Sequence, residues 1–438
     1  MEVKPFKAYR YDDKVVGDVG TCISPPYDVI SQQQDQLYSQ NEYNIVRVIK
    51  GKIESSDNGD NNQYTRAAEY LNKWIAEGAL KQDADDSIYG YVQDFDIAGN
   101  HFQRLTFIAL AKLEEFGPPG PVRPHEKVLA KPMQDRLNLK RATMARFGLV
   151  FMLYEDPQKT ADGIIKQAMN AEPLVDFMDD QDVRHRLYAI TDTKSIEAVT
   201  RMMEDKTCII ADGHHRYTTG LNFSKELNTP ESKYQMLAFT NSCQDGLVVL
   251  ATHRLVMNLD GFGMDKLLDD LREKFEVVEF SFDNDSKSKA VARGKMLDLM
   301  KSEHDKDTNT FGVYGGAGAF YVAVLKDKGS MDSIVPDMSP AWRELDVAVL
   351  HKLILEQILG IDEEKQTQGG YLQYVKDTPN AIDDSIADVE AGRMQVAFFM
   401  NPIKMQQLKK VTDVGERMPQ KSTYFYPKLF TGLTINKL

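Results

Sequence analysis

The segment Cys208-Ile-Ile-Ala-Asp-Gly-His-His-Arg-Tyr217 crowds aspartate, histidine and arginine side chains onto one turn, a composition that folding alone does not explain. A short apolar run stops at an Asp-Gly pair, and apolar residues at three- and four-residue steps then predict a helix from about His214 to Leu227. At a helix N-terminus, backbone N–H groups and the helix dipole attract anions. The residues expected there are Gly213, His214, His215 and Arg216.

Arg216 and Asp212 supply further groups that a phosphate site needs. The guanidinium of Arg216 is a planar donor fork suited to phosphate or carboxylate, and Asp212 can hold a cation or orient a histidine. One alternative is that Asp212 only caps the helix and the histidines lie on the surface. Another is a metal site on His214 and His215, although adjacent helical residues point about 100° apart and rarely share one ion.

A glutamate in a loop rich in proline and glycine is the best candidate for a general base. Glu126 lies between His125 and Lys127 in a triplet that directly follows Pro124, and a proline-rich loop can hold a carboxylate in position. Nothing in the sequence places Glu126 near Asp212. The alternative interpretation is therefore that Glu126 is an ordinary, solvent-exposed loop glutamate.

The helix predicted from Met133 to about Arg146 has one basic side within an acidic chain. This side is either a solvated helix face or an electropositive wall for a phosphorylated ligand. Its cationic residues are Arg136, Lys140, Arg141 and Arg146.

Near the end of the sequence, Lys421 stands beside the hydroxyls of Ser422 and Thr423. A lysine next to two hydroxyls suits a small anionic group. An edge strand protected by a lysine is the alternative interpretation of the same residues.

The composition limits the class of protein. A chain of 438 residues is expected to form two or three domains, and a net charge of −13 argues against a general binder of nucleic acid or of anionic membranes. Three widely spaced cysteines offer no disulfide framework, which favours a reducing cytoplasm. No apolar signal segment or membrane-length stretch is present, so a soluble cytoplasmic protein is expected.

Strands alternating with helices predict a mixed fold, α/β or α+β. Ile45-Val-Arg-Val-Ile49 is predicted to be a strand. The glycine-rich stretch from Phe311 to Leu325 resembles a phosphate loop, but no Lys-Ser/Thr follows and strand-like runs flank the glycines. A hairpin turn is therefore the prediction there.

Five short motifs, spread in order over nearly the whole chain, resemble those of one bacterial and archaeal family. They are Lys4-Pro5-Phe6, Ser24-Pro-Pro-Tyr-Asp-Val-Ile30, His125-Glu126-Lys127, Ala211-Asp-Gly-His-His-Arg216 and Pro419-Gln-Lys-Ser-Thr-Tyr-Phe-Tyr-Pro427. On these residues the chain is identified as a member of the family known as domain of unknown function 1015.

From Arg123 onward the chain is also similar, more distantly, to the ParB/sulfiredoxin-like free serine kinases, which use ADP or ATP to phosphorylate L-serine. Their Pro-His-Glu glutamate is the general base and matches Glu126. Their Asp-Gly-His-His-Arg box, which holds nucleotide phosphates, matches residues 212–216. Their Pro-Lys-Thr-Thr-Arg stretch helps to bind serine and resembles residues 419–424, but Tyr424 replaces the arginine and puts free serine in doubt.

The resemblance implies a ParB/sulfiredoxin-like nucleotide-binding domain with additional α/β domains. The expected segments are an N-terminal α/β part over residues 1–115, which could share the site domain, the domain with the Asp-Gly-His-His-Arg box over 116–256, and a C-terminal α/β domain over 257–438. The spacing between Glu126 and Asp212 is longer than in the kinases, which implies inserted elements.

Together these observations predict a nucleotide-dependent phosphotransferase that uses ATP or ADP with Mg²⁺ to phosphorylate a small hydroxyl compound such as L-serine or a relative. The predicted catalytic residues are Glu126, Asp212, His214 and His215, with Asp212 also the metal ligand. The predicted cofactor-binding residues are Gly213, His214, His215 and Arg216, and the predicted substrate-binding residues are Lys421, Ser422 and Thr423.

Two other functions stay open. ParB relatives use this fold as a nucleotide-dependent switch, so the chain could bind and hydrolyse a nucleotide while regulating a partner, without a small-molecule acceptor. A metal hydrolase on His214 and His215 is the weaker alternative. The expected partners are a nucleotide and a small substrate, with no nucleic acid and no membrane, and a homodimer is an open option.

Overall fold

The computed structural model describes residues 1–128, 130–283, 285–316 and 318–438. The chain forms two compact units. The first unit comprises Met1–Val248 together with Phe425–Leu438, and the second comprises Val249–Tyr424.

A nine-stranded mixed sheet is the centre of the first unit. In order across the sheet, its strands are Val122–Arg123, Cys208–Asp212, Val150–Tyr154, Tyr234–Asn241, Asn100–Lys112, Ile88–Ile97, Arg184–Ile190 and Val175–Met178, with Val3–Lys4 pairing beside Asn100–Lys112. Two of the pairings are parallel, namely Cys208–Asp212 with Val122–Arg123 and Tyr234–Asn241 with Val150–Tyr154.

The strand Val150–Tyr154 is apolar and buried along its whole length, and the neighbouring strands Tyr234–Asn241 and Asn100–Lys112 are buried over most of theirs, as expected for strands that are covered on both faces. Phe107 and Phe239, on neighbouring strands, stack with ring centroids 4.9 Å apart in the core. The α-helices of the unit are Asp13–Val16, Gln32–Tyr38, Val46–Ile49, Gln63–Ala76, Ala130–Thr143, Thr160–Ala168, Thr193–Met203 and His214–Leu227. Short 3₁₀ helices span Val19–Cys22 and Glu231–Lys233, and small strand pairs join Tyr9–Tyr11 to Leu80–Gln82 and Ala145–Arg146 to Asn436–Lys437.

The first unit includes both the predicted N-terminal segment and most of the predicted middle segment. The boundary predicted between residues 115 and 116 falls inside it, because the strand Asn100–Lys112 pairs along its length with Tyr234–Asn241. The chain also returns to the first unit at Phe425. This residue lies far inside the segment, residues 257–438, that was predicted to form a C-terminal domain.

The second unit is built on a six-stranded antiparallel sheet. In order across it, the strands are Phe275–Ser281, Ala319–Leu325, Thr310–Tyr314, Val396–Phe399, Thr252–Val256 and Leu372–Lys376. Its helices are Met264–Lys274, Ser286–Asp305, Lys328–Met331, Pro340–Arg343, Asp346–Val349, Leu350–Ile358, Glu363–Gln368, Ala381–Glu390 and Met405–Asp413. The strands Val248–Leu250 and Tyr424–Tyr426 span the two points at which the chain passes from one unit to the other.

The predicted mixed α/β class is confirmed by these two sheets and their helices. The predicted hairpin is confirmed as well, since Thr310–Tyr314 and Ala319–Leu325 pair antiparallel. Within the described ranges, no helix is both long enough and apolar enough to cross a membrane.

The strand predicted at residues 45–49 is wrong, because Val46–Ile49 is a helical turn. The side chain of Asn44 accepts a hydrogen bond from the N–H of Val46 at 2.9 Å, and the N–H of Ile49 donates to the carbonyl of Ile45 at 3.0 Å. The β-branched residues favour a strand only weakly, so this local side-chain hydrogen bond and the burial of the turn decide its conformation.

Candidate functional site

The Asp-Gly-His-His-Arg box lies where a strand of the first sheet passes into a helix. The strand Cys208–Asp212 ends at the turn, and the helix His214–Leu227 has the bounds predicted from the sequence. Gly213 is the cap residue with φ 94°, a left-handed conformation that favours glycine. A Cβ atom there would lie 3.0 Å from Nε of Arg216, so glycine also lets the guanidinium fold back over the turn.

Asp212 faces two cations. Its Oδ2 lies 3.1 Å from Nζ of Lys428 and 3.6 Å from Nη2 of Arg216, and its side chain is 20% exposed. Burial by itself raises the pKa of Asp212, but the charges of Lys428 and Arg216 outweigh burial and hold the pKa well below the ordinary value. Asp212 is therefore a carboxylate locked in an ion-pair network.

This environment fits a divalent cation poorly. A Mg²⁺ ion bound to Oδ2 of Asp212 would meet the positive charges of Lys428 and Arg216 at that same oxygen. In the described part of the chain, moreover, no three His, Cys, Asp or Glu side chains gather closely enough to hold a metal ion. The contacts therefore favour a positioning role for Asp212 over the predicted metal-binding role, and they offer no support for a hydrolase metal site on His214 and His215.

Arg216 is anchored by the backbone as well as by Asp212. Its Nη1 donates to the carbonyl of Leu149, and its side chain is only 10% exposed. A Cβ atom at Gly148 would lie 3.3 Å from Cδ of Arg216, so the chain passes close beneath the guanidinium. These contacts fix the planar fork in one orientation.

The loop that carries His125 and Glu126 packs against the start of the same helix. Parallel pairing of Val122–Arg123 with the strand Cys208–Asp212 brings the loop there. The backbone N–H of His125 donates a hydrogen bond to the ring atom Nε2 of His214 at 3.1 Å. The two imidazole rings meet edge to face with centroids 4.6 Å apart. Oε2 of Glu126 lies 3.7 Å from Nδ1 of His214.

These contacts settle which ring nitrogens hold the protons. Nε2 of His214 accepts the backbone hydrogen bond, so the proton of the neutral ring is on Nδ1, the atom that faces Glu126. Nδ1 of His125 lies 2.6 Å from the carbonyl of Ile210 and must donate to it. Burial lowers the pKa of His125, so this ring is neutral near pH 7 and Nε2, 4.0 Å from Oε1 of Glu126, has its lone pair free of a proton.

His215 and Tyr27 extend the site toward the N-terminal Ser-Pro-Pro-Tyr-Asp motif. Burial lowers the pKa of His215, and the negative charge of Asp28 partly opposes this shift. Burial and Asp28 raise the pKa of Tyr27, while the charges of Arg136 and Arg216 lower it. The guanidinium of Arg136 lies 4.0 Å from the centroid of the Tyr27 ring. Residues from the start of the chain therefore contribute to the surroundings of the box.

The structure thus brings Glu126 to the box. Lys421, Ser422 and Thr423 belong to the second unit, and their substrate-binding role stays a prediction. There, Ser422 lines a small cavity with Arg254, and the carbonyl of Lys421 accepts a hydrogen bond from Nη2 of Arg254 at 3.0 Å.

Lys428 is the functional candidate that sequence reasoning missed. It follows Tyr426-Pro427 in an otherwise aromatic and apolar segment, Tyr-Phe-Tyr-Pro-Lys-Leu-Phe. A lone lysine among buried aromatic residues is a usable signal, because a charge is rarely placed there without a partner. The partner, Asp212, could not be identified from the spacing.

A comparison with protein-family models assigns this chain to a family. The family model described as protein of unknown function (DUF1015) matches residues 3–348, so the chain belongs to this family, as the motifs predicted. No curated protein is detectably similar in sequence.

Several solved structures are distantly similar. A free serine kinase in complex with AMP is 12% identical, with 73% of this chain and 86% of that chain covered at a TM-score of 0.35. SbnI from Staphylococcus aureus with a C-terminal truncation is 9% identical, with 75% and 87% covered at 0.34. A conserved hypothetical protein from Pyrococcus furiosus is 13% identical, with 73% and 90% covered at 0.31. The mixed α/β assignment for this chain rests on its own sheet topology.

Proposed function

We propose that the chain is a nucleotide-dependent phosphotransferase that transfers a phosphoryl group from ATP or ADP to a small hydroxyl compound, such as free L-serine or a relative. The observation that supports this function is the approach of Glu126 to the box. Oε2 of Glu126 lies 3.7 Å from Nδ1 of His214, although the two motifs are far apart in the sequence. Phosphoryl transfer needs a phosphate cradle and a base within reach of it, and these residues supply both.

Each side chain has a distinct part in this proposal. Glu126, 35% exposed, accepts the proton of the acceptor hydroxyl while the oxygen attacks the terminal phosphorus and the bond to the leaving phosphate oxygen breaks. The Nδ1–H of His214 points toward the carboxylate and orients it. Gly213, His215 and Arg216 hold phosphate oxygens at the helix N-terminus.

Asp212 acts by positioning in this proposal. It keeps the guanidinium of Arg216 in place from one side while the carbonyl of Leu149 holds it from the other. Lys428 balances the charge of Asp212 and adds a cation beside the phosphate cradle. Because the surroundings of Asp212 do not suit a metal ion, Mg²⁺ enters this proposal only as the counter-ion of the nucleotide phosphates.

The deciding experiment is a product assay on the full chain. Purified protein is incubated with ATP or ADP, Mg²⁺ and a panel of amino acids and small alcohols, and phosphorylated products are detected by mass spectrometry. We expect a product that depends on the added acceptor. Nucleotide consumption that is independent of every acceptor would instead support the nucleotide-dependent switch.

The role of Glu126 is tested by Glu126→Gln, which keeps the shape of the side chain and removes the base. We expect turnover to fall by about two to four orders of magnitude, while nucleotide binding measured by calorimetry stays near the wild-type value. Glu172→Gln, at an exposed position of the same unit, is the matched control. Wild-type turnover in Glu126→Gln would rule out this glutamate as the base.

A further inference from the structure

A cavity of the first unit opens beside the Asp-Gly-His-His-Arg box and has a cationic lining. Arg216 is shared between the box and the cavity, and Tyr27 and Thr219 also face the cavity. Its volume of about 70 Å³ is several times the roughly 10–15 Å³ that one water molecule needs. The basic side of the helix Ala130–Thr143 contributes Arg136 and Lys140 to the lining.

The described carboxylates balance only part of the positive charge of this cavity. Four cations line it, and the described lining residues include no aspartate or glutamate. Two of these cations have partners outside the lining, since Arg136 pairs with Asp135 and Arg216 pairs with Asp212. The other two, Lys140 and Arg146, form no ion pair with any described carboxylate.

Lys140 is buried with unused donors. It is 7% exposed, and among the described residues its Nζ forms one hydrogen bond, to Oε1 of Gln235 at 2.7 Å. An ammonium group has three donors, so two remain for a ligand. Gln235 in turn is seated against Gly220, where a Cβ atom would lie 2.9 Å from the same oxygen.

Arg146 is buried in the same way. It is 4% exposed, with its Nη1 donating to the side-chain oxygen of Asn436 and its Nη2 to the carbonyl of Glu231 at 2.8 Å. Its Nε is buried without a hydrogen-bond partner among the described residues. A charged group in this position normally has a counter-charge, because burial of an unpaired charge is strongly unfavourable.

The protonation behaviour agrees with this geometry. Burial, and then the neighbouring charge of Arg146, lower the pKa of Lys140 well below its usual range. Burial also lowers the pKa of Arg146 to about 10. A bound anion would reverse both shifts, because an opposite charge favours the protonated form.

We propose that this cavity is a binding site for a small oxyanion, a carboxylate or a phosphate group, held by Lys140 and Arg146 next to Arg216. Lys140 and Arg146 are not part of the helix N-terminus that would hold nucleotide phosphates, and Arg216 lies between the two places. The cavity would be a second anion site in the first unit, and anion binding there does not depend on catalytic activity.

A consequence for the substrate rests on the proposed function. If the chain is a phosphotransferase, the acceptor has an anionic group of its own, which the cavity holds while its hydroxyl faces Glu126. Hydroxy acids and amino acids with a hydroxyl group belong to this class, and so do phosphorylated alcohols. Uncharged alcohols would be poor acceptors.

The test measures anion binding to the full chain without nucleotide. Thermal unfolding is followed with inorganic phosphate, with acetate and with chloride at matched ionic strength. We expect phosphate, acetate or both to raise Tm with saturation, and chloride to leave Tm unchanged. Saturation by phosphate alone identifies a phosphate site, and saturation by acetate identifies a carboxylate site. Failure of both anions to bind at millimolar concentrations would overturn the proposal, whether or not the protein has kinase activity.

Two variants locate the binding. Gln235→Glu keeps the side-chain shape and puts a carboxylate against Nζ of Lys140, so the protein supplies its own counter-ion and should fold normally. Lys140→Met removes the charge. In each variant we expect the anion affinity to fall by at least about tenfold. Gln158→Glu, at an exposed position, and Lys225→Met, whose side chain is 60% exposed, are the matched controls. Unchanged affinity in folded Gln235→Glu would place the anion elsewhere and refute the site.

Discussion

Asp212 and Lys428 form an ion pair at 3.1 Å although 216 positions separate them in the sequence. The pair joins the Asp-Gly-His-His-Arg box to the segment with which the chain re-enters the first unit. Both side chains are largely buried, at 20% and 14% exposure. Removal of either partner leaves a charge with little solvent to screen it, which is more harmful than loss of the pair itself.

Lys428→Met should therefore destabilise the first unit by about 1–3 kcal/mol. Without the charge of Lys428, burial should raise the pKa of Asp212 toward or above its ordinary value. Urea unfolding at pH 7 measures the first effect. The double variant with Asp212→Asn should recover part of the loss, because no unpaired carboxylate remains. Strictly additive losses would show that the two residues do not interact.

Gly213→Ala should perturb both the backbone and Arg216. The left-handed conformation costs a residue with a Cβ atom about 1–2 kcal/mol, and that atom would press on the guanidinium of Arg216 and displace it slightly. We expect lower stability together with weaker nucleotide binding, measured by calorimetry. Gly163→Ala is the matched control, because a Cβ atom in that helix meets nothing within 4 Å and should stabilise the helix by about 0.5–1 kcal/mol.

Stability should fall in mild acid. Burial lowers the pKa of His125, His185 and His215, so the unfolded chain binds protons at a higher pH than the folded chain does. The contribution of these histidines to the free energy of unfolding should be constant above about pH 7.5. It should then decrease as the pH falls below about 6.5, by up to about 1.4 kcal/mol per pH unit for each histidine, until the lowered pKa values are passed.

Urea unfolding from pH 8 to pH 5 measures this dependence. Fluorescence of Trp74, in a Trp342→Phe background, reports on the first unit because the chain has two tryptophans, one in each unit. His125→Asn should flatten the slope, and His101→Gln, whose native side chain is 64% exposed, should not. A free energy of unfolding that rises toward pH 5 would contradict the neutral buried state of these rings.

Asp28→Asn should lower the pKa of His215 further. Burial already lowers this pKa, and the charge of Asp28 is the largest opposing influence. The histidine titration followed by NMR measures the shift directly. Asp86→Asn removes an exposed carboxylate of the same unit and should leave the titration unchanged. An upward shift in Asp28→Asn would mean that the carboxylate does not face the ring.

Local features of this chain could be predicted from the sequence. The helix His214–Leu227 could be predicted because its signals, an Asp-Gly turn and regularly spaced apolar residues, lie close together in the sequence. The hairpin at Thr310–Tyr314 and Ala319–Leu325 follows in the same way from glycines between two β-prone runs. The strand predicted at residues 45–49 is wrong because the hydrogen bond from the N–H of Val46 to the side chain of Asn44, together with the burial of the turn, outweighs the weak β preference of these residues.

Long-range features could not be predicted from spacing. Glu126 reaches the box through the parallel pairing of Val122–Arg123 with Cys208–Asp212, which no local pattern specifies, and only the resemblance to a known motif suggested it. Lys428 was missed because its partner lies in another part of the chain. Spacing also could not show that the segments before and after residue 115 share one sheet, because the strand Asn100–Lys112 pairs with a strand formed much later in the sequence.

The return of the chain to the first unit has a consequence for biosynthesis. Phe425–Leu438 is translated only after the whole of Val249–Tyr424, and Lys428 lies in that late segment. A nascent chain still emerging from the ribosome therefore has Asp212 without its lysine partner. The ion-pair network of Asp212 can be completed only when translation has passed residue 428, so a messenger truncated before that codon would yield a first unit in which Asp212 lacks the charge of Lys428.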